Sequence, residues 1–499
     1  MADYDVVVIG AGCGGLSAGA LLAKQGRKVL VLEQSDLVGG CCSTFEKDGY
    51  HFDVGASILE VIAPIERAFA KLDTTFQAEV DLIPCDPILS CIYPDGSHLT
   101  YPQDLGATAA LLEKLSPEEA QNWQRYAAYF SELTEVVLDT LFAEPANGLL
   151  DMAQMVRKNP RLLKFLPTFA TSYQDMIERY FHDSRILQSM AYQSLYIGLP
   201  PELVPGTFAL LPFTEHLGVY YPRGGMIQIP LAFQRCGERF GLEVRLNTRV
   251  AQVMVQSGQV AGVVLADGTE ITCDVIVSDI NAKTLYLQLI GEKHLPWLAR
   301  VGIQSYEYST SVPMIYLGVD SAPPLDAHHS LIAISMEGVN DYWWDNARRG
   351  QLRDKPFGLI CWPTRSDPSL APEGQHVLNL IPDGFYRLSG TDWDKEKPRY
   401  VERVINFLSE SAVPGLAEHV KVVECATPLD FERRLLLPEG AIYALQEDAA
   451  AQAMFRPSSK SKSIRGLYLA GASTHPGGGV PATIASGAIA ARLIERYEQ

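Results

Sequence analysis

Gly10-Ala11-Gly12-Cys13-Gly14-Gly15 has the spacing G-x-G-x-x-G, which suits the close approach of a phosphate chain to backbone. Gly10 permits a tight turn. Gly12 removes a Cβ from the path of a pyrophosphate, and Gly15 lets a helix pack close to a strand. Glu33 follows the glycines at the distance where a carboxylate accepts hydrogen bonds from both ribose hydroxyls. It would repel a 2′-phosphate, so FAD or NAD is favoured over NADP. Gln34 leads on to Gly39-Gly40-Cys41-Cys42, a second small-residue run that NAD binding does not need and that can lie beside an FAD diphosphate. Gly55-Ala56-Ser57 ends a further strand and suits the approach of a flat ring. Near the C-terminus, Gly471-Ala472-Ser473 leads into Thr474 to Gly479 and then Val480-Pro481-Ala482, a helix start with proline in the first turn. The positive end of that helix could face the flavin edge where charge gathers on reduction.

The elements that must position these residues are legible as pattern. Val6 to Ile9 reads as a buried strand. Leu16, Ala20, Leu21 and Ala23 mark one helical face that ends at Gly26, and Lys28 to Leu32 is a second strand. Ile88 to Tyr101 reads as a hairpin about Pro94-Asp95-Gly96. Ala107 to Leu141 reads as helical, with a cap at Ser116-Pro117-Glu118-Glu119. Tyr221-Pro222-Arg223-Gly224-Gly225 is read as the start of a helix reaching Phe240. Strands follow over 242–246, 250–255, 260–265 and 270–273, with another buried strand over 274–278, and Val250 is a candidate for backbone contact with adenine. Tyr342-Trp343-Trp344 reads as core more readily than as a tunnel wall. His475 could move a proton, but a hydrogen bond holding its turn is the better reading. Asp430 and Arg456 read as structural ion partners. No catalytic base stands out.

The chain has 499 residues, 47% of them hydrophobic, more than one ordinary core accommodates, so two domains are expected. A net charge of −18 with no basic block argues against nucleic acid as partner. Nine scattered cysteines without C-x-x-C suggest reduced thiols, no metal site and a cytoplasmic setting. Asp3 and Asp5 precede the uncharged run 6–23, the wrong flank for a signal peptide. Residues 148–169 interleave Leu149, Leu150, Met152, Met155, Val156, Leu162, Leu163, Phe165 and Leu166 with Arg157, Lys158, Arg161 and Lys164. That mixture could seat peripherally on the inner face of a membrane, or form a helix pair with a basic solvent face.

Taken together, these segments resemble the bacterial phytoene desaturase family of flavoproteins across nearly the whole chain. The resemblance is carried by 10–15 with Glu33, Gly39-Gly40, and Gly49-Tyr50-x-Phe52-Asp53-x-Gly55. It continues through Gly218 to Gly225, Asp367 to Gly374, Thr427-Pro428-x-Asp430-Phe431, Phe455-Arg456-Pro457 and Gly471 to Pro481. There is one departure. Cys41-Cys42-Ser43-Thr44-Phe45 stands where the desaturases usually carry arginine after the glycine pair, and looks more like retinol saturases.

The resemblance implies an α/β fold of the two-dinucleotide-binding-domain flavoprotein type, with a discontinuous Rossmann-like FAD domain (1–80, 215–285, 455–499). A mixed α+β substrate domain is implied for 81–214 and 286–454. FAD would be held by Gly10 to Gly15, Glu33, Gln34, Gly39 to Cys42, Gly55 to Ser57, Val250, Gly471, Ala472 and the Val480 to Ala482 turn. The implied substrate is a long apolar polyene, desaturated with hydride transfer to flavin N5 and reoxidation by oxygen or a quinone. Polyene cis–trans isomerisation, polyene saturation and a flavin-free prenyl-binding protein are the alternatives.

Overall fold

The computed structural model describes residues 2–146, 148–446 and 456–498, and two sheets organise them. In the first sheet, β1 (Tyr4–Ile9) lies between β2 (Val29–Leu32) and the long strand Glu270–Ser278, parallel to both. Glu243–Arg245 extends it beyond β2, and Leu467–Leu469 beyond 270–278, again in parallel. Near-continuous burial of the valines, leucines and isoleucines in β1 and β2 is what a parallel sheet covered on both faces requires. The meander 250–256 and 259–265 joins the first half of 270–278 antiparallel.

Helix α1 (Cys13–Lys24) leaves β1 through the glycine loop and begins three residues earlier than its apolar face suggests. The final helix, Val480–Tyr497, packs on it closely enough that a Cβ at Gly487 would collide with Ser17 and with the Gly14 carbonyl. The Ser17 hydroxyl donates to the Ile484 carbonyl at 3.3 Å.

The second sheet runs 420–426, 314–319, 376–382, 358–361, 329–332, 89–92, 98–101. Its strands are antiparallel except for the pair 329–332 and 89–92. The hairpin expected over 88–101 is present as its edge.

Helices cover 105–113 and 117–139, the second capped by Ser116, whose hydroxyl accepts from the Glu118 N–H at 3.2 Å. One expectation fails: 221–240 is not one helix. Tyr220–Pro222 is a short strand paired with Leu82–Pro84, and the helix starts only at Gln228. The left-handed backbone of Gly224 and Gly225 breaks it.

That break has a purpose visible in the hydrogen bonds. Buried Asp53 accepts from the Tyr221 hydroxyl at 2.6 Å, the Met226 N–H at 2.8 Å and the Thr44 hydroxyl at 2.7 Å. Buried Asp367 accepts from the Gly224 N–H at 2.7 Å. The segments around Asp53, Tyr221 to Gly225 and Asp367, far apart in sequence, are thus tied into one clasp.

Candidate functional site

A cavity of about 570 Å³ runs from the first sheet to the second. At one end it is lined by Glu33, Gln34, Ser35, Thr248, Arg249 and Val250. The Glu33 carboxylate accepts from the Ala11 N–H and the Ser35 N–H, both at 2.8 Å. These bonds fix the acid at the carboxyl ends of β1 and β2, the edge where open α/β sheets bind ligands.

The middle is lined by Gly10, Gly12, Cys13, Gly39, Gly40, Cys41 and Cys42. The second glycine pair is joined to the first loop: the Gly39 N–H donates to the Ala11 carbonyl at 2.8 Å. Gly39 has φ +102°, and a Cβ there would press on the Cys42 carbonyl. Burial pushes the Cys41 thiol up to about 12, and a hydrogen bond with Cys13 together with burial raises that of Cys42, so neither is a thiolate near neutrality. Gly55, Ala56, Ala472 and Val480 follow along the wall, with Ser473, Gly479 and Thr483 beside them.

Some expected site residues face elsewhere. A Cβ on Gly15 would strike the Gly10 carbonyl, which confirms its packing task. Gly14 abuts Gly471, whose N–H donates to the Ser486 hydroxyl at 2.7 Å. Ser57 gives its carbonyl to His329 at 3.0 Å. Pro481 and Ala482 form the first turn of the last helix without lining the cavity. His475 is not a wall residue either. Its Nε2–H donates to the Leu141 carbonyl, and burial lowers its pKa to about 4, so it is a neutral holder of its turn. Asp430 pairs with Lys397 at 2.9 Å and caps its helix through Thr427, and Arg456 donates to the Ala472 carbonyl. Phe455 lies outside the described residues.

Two features went unread in the sequence. Asp279, directly after the strand 270–278, lies against the glycine loop: its Oδ2 accepts from the Gly15 N–H at 2.8 Å. A Cβ on Gly12 would meet this carboxylate, so the bareness of Gly12 serves Asp279 as well as any phosphate. Burial, with Glu33 nearby, pushes the Asp279 pKa up to about 7. An acid at the carboxyl end of a parallel strand was the available signal. The second feature is the far end of the cavity, walled by Tyr192, Leu195, Tyr196, Met314, Leu359 and Tyr443. Tyr342 belongs to the buried core and Trp343 packs against it, as the core reading expects, but both also border this chamber, while Trp344 is exposed.

The three parts of the cavity fit the three parts of FAD: an acid for the ribose, glycine loops at a helix N-terminus for the diphosphate, and small residues with a second helix start for the ring. The match to the family described as flavin containing amine oxidoreductase spans residues 13–495, and the chain belongs to that family. It is 30% identical to the phytoene desaturase (neurosporene-forming) of Rhodobacter capsulatus, over 98% of this chain and 93% of that one. It is 29% identical to the zeta-carotene-forming phytoene desaturase of Myxococcus xanthus, over 98% and 92%. In fold it is similar to an oxidoreductase from Methanosarcina mazei, with a TM-score of 0.66 at 18% identity over 98% of this chain and 99% of that one. The protein is an FAD-dependent oxidoreductase.

Proposed function

We propose that the protein desaturates a carotenoid-type polyene. The observation that carries this reading is the continuity of the cavity: the groove suited to FAD opens directly into a chamber of tyrosine, leucine and methionine side chains. The relatives named as phytoene desaturases support it.

FAD supplies the hydride acceptor that no side chain can provide. The protein's own part is to hold the chain in place and keep water out, through Leu195, Met314, Leu359 and the aromatic side chains that line the chamber. Gly55, Ala56, Ala472 and Val480 leave room for the ring to lie against backbone. The residues proposed to hold FAD are those named in the sequence reading that line the cavity, with Asp279 added.

Oxygen or a quinone is the proposed electron acceptor. Peripheral membrane contact is proposed at the helix pair Leu149–Lys158 and Leu162–Phe169, where Leu149 and Leu150 are 75% and 81% exposed. Three of the four cations there are held by glutamates. Lys158 pairs with Glu144, Arg161 with Glu132 and Glu135, and Lys164 with Glu132. Among the described residues no helix is long and apolar enough to cross a membrane.

The test is the mass of the product when FAD-loaded protein meets polyenes in liposomes with oxygen or a quinone. Loss of two mass units per step supports desaturation. Unchanged mass with a shifted absorption maximum, under reducing conditions only, would replace it with isomerisation, the reading kept open by Cys41-Cys42.

A further inference from the structure

The far chamber is not purely apolar. Asp383 lines it, immediately beyond the strand His376–Pro382, and is 5% exposed. Its Oδ1 accepts from the Phe357 N–H at 2.9 Å. Its Oδ2 is buried and has no hydrogen-bond partner among the described residues; Arg353 and Arg403 are near enough to draw its pKa down against burial, but Arg403 is itself paired with Glu396.

A second wall residue shows the same condition independently: the indole Nε1–H of Trp343 is buried and unpartnered among the described residues. Leaving such groups unsatisfied is costly, because each gives up its hydrogen bonds to water on burial and gains none in return. A chamber shaped for hydrocarbon alone would be expected to avoid them.

Nor can Asp383 swing away. Its N–H donates to the Phe357 carbonyl at 2.9 Å, and the Tyr400 hydroxyl donates to its carbonyl. The next residue, Gly384, is held on both sides by Tyr342, its N–H donating to the hydroxyl at 3.0 Å and its carbonyl accepting at 2.7 Å. A Cβ on Gly384 would strike Pro313, so the backbone is pinned where it stands.

We propose that the polyene taken by this chamber carries an oxygen function, a hydroxyl or carbonyl group, and that Asp383 selects for it by a hydrogen bond. Trp343 supplies a further donor on the same wall. Burial pushes the Asp383 pKa up to about 7, so near neutrality and below the acid can donate as well as accept. A carboxylic acid donates to a carbonyl oxygen and exchanges both roles with a hydroxyl. A plain hydrocarbon would leave both wall groups unpaired, and sites built to bond a substrate oxygen reject analogues that lack it. The inference rests on the polyene reading of the cavity and deepens it.

The test compares three polyenes of one skeleton: the hydrocarbon, its terminal alcohol and its terminal ketone. Binding to FAD-loaded wild type, Asp383→Leu and Asp383→Asn would be followed by the perturbation of the flavin spectrum, with flavin content and melting temperature confirming the fold. Wild type should bind an oxygenated chain at least about tenfold more tightly than the hydrocarbon. Asp383→Leu should cut the preference several-fold, leaving at most what Trp343 supplies, while keeping or improving hydrocarbon binding, and Asp383→Asn should retain more of it. Equal affinity for all three in wild type, or an unchanged ratio in Asp383→Leu, would overturn the inference and leave the polyene reading standing. Loss of turnover on every polyene in Asp383→Leu at unchanged affinities would also overturn it, since that marks a catalytic acid or base. Binding of none of the three by folded, flavin-loaded wild type would remove the polyene reading and the inference with it.

Discussion

Asp279 places a carboxyl group beside the first turn of α1, where the FAD diphosphate is proposed to lie. Its pKa is pushed up to about 7, so it is largely protonated at pH 6 and ionised at pH 8. The ionised form repels a diphosphate. FAD affinity of the apoprotein should therefore weaken as pH rises through 7, by as much as about tenfold per unit, and Asp279→Asn should flatten the slope. Titration of apoprotein with FAD at several pH values checks this. The same group bears on stability. A carboxyl whose folded pKa is raised holds its proton in the folded state between its unfolded value near 4 and 7, so the apoprotein loses stability as pH rises across that window. Asp279→Asn should melt higher than wild type at pH 8 and equal to it at pH 4. Two apoprotein melts on each protein decide the matter.

At the scale of elements, the glycine loop and the Asp53 clasp are the parts most exposed to small changes. Gly15→Ala puts a methyl group into the Gly10 carbonyl and drives α1 away from β1. Overpacking of this kind costs about 1–3 kcal/mol, and bound flavin absorbance should fall with the melting temperature. Tyr221→Phe removes one of three donors from buried Asp53, which should destabilise the fold by about 1–3 kcal/mol while FAD content stays near wild type. A denaturation curve with a flavin count separates these two outcomes. The nucleotide loop was readable because strand, glycines, helix and acid are local and each leaves a pattern. The position of Val250 at the start of a β-branched strand was readable for the same reason. The clasp was not: Asp53, Tyr221 and Asp367 meet only through tertiary structure, and the glycine pair that ends one element was taken to open another. Asp279 was missed likewise, and sequence weighed core against cavity wall at Tyr342 and Trp343 where the structure gives them both roles. Period and propensity say that such residues are buried, not which cavity they border.

The whole molecule presents apolar groups at Leu149, Leu150, Leu163 and Leu166 beside four cations, three of which, Lys158, Arg161 and Lys164, are matched by glutamates. Vesicle binding should therefore depend weakly on salt and on anionic lipid, and more on these leucines. Leu149→Ser with Leu150→Ser should lower co-sedimentation with liposomes several-fold, with flavin content unchanged. A steep salt dependence in wild type would instead place the contact on a charged face.

The order of the first sheet also bears on how the chain is made. β1, its central strand, lies beside 270–278, and that strand in turn beside 467–469. On the ribosome, Val6 to Ile9 is synthesised long before its neighbour and keeps one open edge until residue 278 has emerged, and Leu467–Leu469 joins the sheet later still. Pairing over such separations is slow, and unsatisfied strand edges aggregate in the meantime. A nascent chain stalled before residue 270 should therefore be sticky and unable to retain FAD, whereas one released after residue 469 has the full set of strands. Yield in a foreign host should then depend more on chaperone supply and growth temperature than on the stability of the finished enzyme.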